Sequence, residues 1–206
     1  MSQDIDKVIQ RTQRYYYEDG LVETAVGLLF FIIGLELLGW LAIQTNPTLG
    51  IVMVILSVGL IYGGTLFVQK TIPALKERLT HPRTGKVVYR REEPSKQAKR
   101  RNAIMILAVL VLGLFLPERF NQIALMEGGV LGIFLVYLGY RVKVSRFYLL
   151  GGAAALIALV AMWLFSDDIR SSAFTFGGTG LLLLVSGLLV LSRYLSQNPQ
   201  IEVEDE

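Results

Sequence analysis

The chain of 206 residues has no cysteine and a single histidine, His81. Without cysteine there is no disulfide, no thiolate nucleophile and no Cys-ligated metal, and one histidine cannot build a multi-histidine metal site. No Asn-x-Ser/Thr acceptor is present, because Asn46-Pro47-Thr48 carries the excluded proline. A phosphate loop is lacking too. Arg83-Thr84-Gly85-Lys86 holds a Gly-Lys pair, but the first glycine of the motif is missing and Val87 stands where a hydroxyl residue would bind magnesium. His81 has no companions for lipid chemistry at the interface, so an enzyme reading ranks last and no cofactor is expected. These absences fit a prokaryotic plasma-membrane protein.

What the sequence does have is long uncharged runs. Hydrophobic residues make up 53% of the chain, which decides little alone, but the charges are crowded into short stretches. A soluble helix would interrupt its apolar residues with polar ones at every turn. Runs of about 18 apolar residues read instead as membrane spans. The spacing predicts spans over 21–43, 49–69, 102–117, 122–140, 147–165 and 173–195. The fold class is therefore an all-α integral membrane protein with about six transmembrane helices as antiparallel neighbours.

The first run is a retained span rather than a cleavable signal, since Gln44-Thr45-Asn46-Pro47 follows it instead of small residues. Its twelve Leu, Ile and Phe residues favour insertion by roughly 4 to 7 kcal/mol, more than the ~3 kcal/mol cost of a central acid. Glu36, off centre, does not prevent insertion. The third run is the shortest, and a five-span alternative would make it re-entrant. That alternative would put Arg141, Lys143 and Arg146 outside, against the charge pattern.

Lysine and arginine set the orientation. Three precede the first span, eleven lie in 70–101, three in 141–146, and Arg193 in the last turn, while the opposite connections hold only Arg119 and Arg170. The N-terminus, the two basic loops and the C-terminus are thus expected in the cytoplasm. Residues 1–20 read as an interfacial amphipathic helix, with Ile5, Val8, Ile9, Tyr15 and Tyr16 on one side and Lys7, Arg11 and Arg14 on another. Gly20 breaks that helix and Asp19 can cap the first span. Spans one and two occupy 21–69. The basic loop 70–101 carries a short helix after Pro73 and a strand-like Lys86–Arg90. Spans three to six occupy 102–195, and an acidic tail 196–206 closes the chain.

Three intramembrane carboxylates are candidates for chemistry. Glu23 and Glu127 sit in first turns, where the helix dipole favours an anion. Glu36 lies deeper, with Trp40 one turn on as a hydrogen-bond donor. Opposite span directions place Glu36 and Glu127 at similar depth, so together they form a candidate proton or cation site. The bases Lys76, Arg78, Arg83, Lys86, Arg90 and Arg91 are candidates for contact with anionic lipid headgroups or a partner; nucleic acid is not expected. Small residues four apart, Gly59/Gly63, Gly128/Gly132, Gly151/Ala155 and Ala154/Ala158, with Gly177, Gly178, Gly180 and Gly187, suit close helix packing within the chain or in an oligomer. Residues 21–26 resemble 125–130, as in an inverted repeat, although the 70–101 loop has no counterpart. A non-enzymatic scaffold or accessory subunit is the first functional expectation, and a small transporter or channel using Glu36 and Glu127 the second.

Overall fold

In the computed structural model, residues 16–43, 47–80 and 123–199 are described. They form five long helices: α1 Leu21–Ile43, α2 Pro47–Leu79, α3 Ile123–Val142, α4 Arg146–Leu164 and α5 Asp168–Gln197. Among the described residues there is no strand, and all five helices are long and apolar enough to cross a membrane. The chain is an all-α protein of membrane-spanning type. The expected span over 102–117, the loop residues 81–101, the N-terminal residues 1–15 and the tail beyond 199 lie outside the described residues.

Three of the five helices begin where local chemistry starts them. Gly20 takes φ +74°, a region glycine enters without a Cβ penalty, and the Asp19 carboxylate accepts from the Leu21 N–H at 3.2 Å. Helix α2 begins at Pro47, whose missing N–H is not needed at the first helical position. Helix α5 is capped by Asp167, which accepts from the Arg170 N–H at 3.4 Å.

One boundary differs from expectation. The second span and the short helix after Pro73 are a single helix of 33 residues, about 50 Å long at 1.5 Å per residue and so longer than the ~30 Å hydrocarbon layer. Pro73 lacks the N–H that would reach the Gln69 carbonyl, which ordinarily breaks a helix. The helix persists because Ile72 and Lys76 are buried near its end, with Thr80 buried just beyond it.

Helix α5 stands at the centre, touching α1, α4 and α3, while α2 leans chiefly on α1. The α1–α5 contact extends over Gly20–Gly34 and rests on glycines seven residues apart. Gly20, Gly27 and Gly34 meet Gly187, Gly180 and the pair Ala173/Gly177 in antiparallel order. A methyl group at Gly27 would overlap the Leu184 backbone nitrogen and lie 2.8 Å from the Gly180 carbonyl oxygen; at Gly180 it would overlap the Phe31 nitrogen. Backbone meets backbone, the geometry small residues permit between membrane helices. A seven-residue period keeps the seam on one face with only slow drift. Helices α3 and α4 pack likewise, with Gly128 against Ala154 and Ala158, and Gly132 against Gly151 and Ala155.

The small-residue pairs of α3 and α4 therefore pack as the spacing suggested. Gly59 and Gly63 do not: among the described residues nothing lies within 4 Å of a Cβ at either, and it is the adjacent Gly64 that receives the Leu29 side chain. The outward surface is apolar, with Trp163 83%, Leu149 77% and Tyr62 72% exposed. So much large apolar surface is untenable in water and natural in lipid.

Candidate functional site

The ion pairs between helices gather at one end of the bundle. At the end where α1 begins, two ion pairs are packed among four elements. Arg146 is the first residue of α4, where the helix dipole disfavours a cation. Its Nε donates to Glu23 Oε1 at 2.6 Å, and its Nη2 donates to the Tyr17 carbonyl. Ser186 of α5 donates to the other Glu23 oxygen at 3.2 Å. The Glu23 side chain is only 2% exposed, so its charge is compensated almost wholly by these two donors. Beside it, Lys76 Nζ stands 2.7 Å from Asp19 Oδ2, donates to the Tyr16 carbonyl and lies 4.0 Å from the centre of the Tyr16 ring. Tyr17 meets Phe147 edge to face at 5.9 Å. Burial pushes the Tyr16 and Tyr17 hydroxyls up from their ordinary value, so both rings stay neutral.

Lys76 is thus corrected as a candidate lipid or partner contact. It is buried, and its ammonium serves Asp19 and the Tyr16 carbonyl within the chain. Arg78 is exposed, as a surface contact requires. Arg83, Lys86, Arg90 and Arg91 lie outside the described residues.

Glu36 sits toward the other end. Trp40 Nε1 donates to its Oε1 at 3.0 Å, the bond expected from the one-turn spacing. Ser57 of α2 also donates to that oxygen at 2.7 Å, while lying 2.9 Å from the Met53 carbonyl oxygen. The carboxylate therefore ties α2 to α1. Glu127 has different neighbours: Ser172 and Asp168, both of α5, lie beside it. Glu127 Oε2 and Asp168 Oδ1 are buried atoms without a hydrogen-bond partner among the described residues. The partners of Glu36 lie on α1 and α2 and those of Glu127 on α5, so no described hydrogen bond brings the two candidate carboxylates together. No group of three metal-ligating side chains occurs among the described residues.

Sequence reasoning treated Glu23 as a dipole-stabilised first-turn acid and missed its pairing with Arg146. The signal was present: both residues lie at helix starts on the same side of the antiparallel bundle, with opposite charge. Ser57 and Ser186 gave none, since a lone serine in an apolar run has many possible partners.

The chain matches no known protein family, no curated protein and no solved structure.

Proposed function

We propose that this membrane protein is a non-enzymatic scaffold or accessory subunit, with both termini cytoplasmic. The observation that carries the reading is how the intramembrane charges are used. Glu23 holds α1 to α4 and α5, and Glu36 holds α2 to α1. A transporter needs ionisable groups that exchange partners with a substrate along a wetted route. Here Glu23 and Glu36 are hydrogen-bonded to fixed donors, and the α1–α5 seam is backbone against backbone, which leaves no width for a route between those helices.

The orientation rests on the positive-inside distribution. A sixth crossing is supported by where the described helices end. Helix α2 finishes beside Asp19, whereas α3 starts beside Ser172 and Asp168 at the opposite end. Helix α2, exposed along most of its length, is the face on which a partner subunit would sit.

The test is reconstitution into proteoliposomes loaded with a pH-sensitive dye, under imposed proton, sodium and potassium gradients. The scaffold reading expects flux equal to that of empty vesicles and thermal unfolding unchanged by these cations. Flux abolished by Glu36→Gln or Glu127→Gln would replace it with the transporter reading. A photo-crosslinking residue at Tyr62 on α2 is expected to give one discrete protein adduct in cells.

A further inference from the structure

We propose that the turn joining α3 to α4 is a binding site for the headgroup of an anionic phospholipid, gripped by Arg141 and Lys143. The first observation is conformational. Helix α3 ends with the Val144 N–H bonded back to the Gly139 carbonyl at 3.3 Å, the closure in which a left-handed residue follows the helix. That residue is Lys143, at φ +54°. Glycine fits such a position without strain, and a lysine there is held against a local preference. An outlier of this kind points to a use for the side chain.

The second observation is charge. From Gly128 to Ser166 there is no Asp or Glu, while Arg141, Lys143 and Arg146 fall within six positions. Arg146 is consumed by Glu23 and the Tyr17 carbonyl. Arg141 and Lys143 remain exposed. Of the acids at this end, Asp19 is taken up by Lys76 and Glu23 by Arg146, and the exposed Glu18 and Glu77 belong to the segment before α1 and to α2, so the α3–α4 turn itself carries only positive charge.

The third is the rim. Tyr140 is 69% exposed, Tyr148 42% and Leu149 77%. Tyrosines beside bases mark the headgroup layer, and Leu149 continues onto the acyl-chain level. A phosphate between Arg141 and Lys143 with its chains along Leu149 satisfies charge and apolar surface together. The site requires the chain to be lipid-embedded, as already concluded, but not a particular orientation, since headgroups reach both faces in a nanodisc.

The experiment is native mass spectrometry of the protein released from nanodiscs containing equal dioleoyl phosphatidylglycerol and phosphatidylcholine, with thermal unfolding measured in parallel in neutral detergent. Wild type is expected to retain phosphatidylglycerol preferentially. Arg141→Gln should reduce that preference about five-fold. Lys143→Gly should reduce it similarly while raising Tm in neutral detergent, because glycine relieves the backbone. Opposite signs for lipid retention and stability distinguish a binding role from a structural one. Undiminished phosphatidylglycerol retention in both variants would overturn the proposal. So would glycerol 1-phosphate in solution stabilising the protein as well as the lipid does, since the site would then recognise free phosphate.

Discussion

Replacing Arg146 by methionine removes the main partner of Glu23 while keeping most of the side-chain volume. Breaking a buried ion pair from one side costs about 3–5 kcal/mol, because the remaining charge is stranded. The lower end applies here. Ser186 stays as a donor to Glu23 at 3.2 Å, and the Arg146 side chain is 22% exposed, so water reaches part of the site. The Tyr17 carbonyl also loses its donor, adding about 1 kcal/mol. An expected loss of about 4 kcal/mol follows. Glu23→Gln with Arg146→Met should recover roughly 2 kcal/mol of that, since no charge is left stranded. The assay is reversible unfolding by steric trapping in bicelles, for both single variants and the double. Additive losses, with a coupling under about 0.5 kcal/mol, would refute the claim that the two residues form one buried unit.

Gly27→Leu should destabilise by about 3 kcal/mol, the top of the overpacking range, because both walls of the contact are backbone; Gly59→Leu, where the space is open, should stay within about 0.5 kcal/mol, and equal losses would dismiss the seam. Lys76→Met strands Asp19 and frees the C-terminal end of α2, so spin labels at Arg78 and Leu195 should show a broadened distance distribution, whereas an unchanged one would remove the tie. Glu36→Leu should cost about 1 kcal/mol by orphaning Trp40 Nε1, and Glu36→Gln should restore it through the amide oxygen; a larger loss in the glutamine variant would mean the charge itself matters.

Span positions were legible because apolar runs between charged stretches have no other stable home. The first span is read at the same bounds that the structure gives α1. The break at 70 was read too early, since Lys70 and Pro73 signal the end of a membrane span and of a helix, whereas tertiary contacts at Ile72 and Lys76 carry the helix on. Glycine spacing named the small residues that meet between α3 and α4, but it also named Gly59 and Gly63 and passed over Gly27 and Gly34. Four-residue spacing drew attention, and the seven-residue repeat of Gly20, Gly27 and Gly34 becomes meaningful only beside its match in Gly187, Gly180 and Ala173. The Glu36–Trp40 bond was legible because it is local. Ser57 and Asp19–Lys76 were not, because their partners lie on other elements and composition carries no pairing information between them; the Glu23–Arg146 pair was signalled only by opposite charge at two helix starts on one side.

The chain has no natural cysteine, so single cysteines report topology without background. A membrane-impermeant maleimide applied to intact cells is expected to label cysteines at Thr45, Asn121 and Ser166. It should not label cysteines at Ser2, Ser95 or Ser196 until the membrane is opened. Labelling at Asn121 with protection at Ser95 places an odd number of crossings between α2 and α3, and with the five described helices makes six spans with both termini inside. External labelling at Ser95 or Ser196, or protection at Asn121, would contradict it.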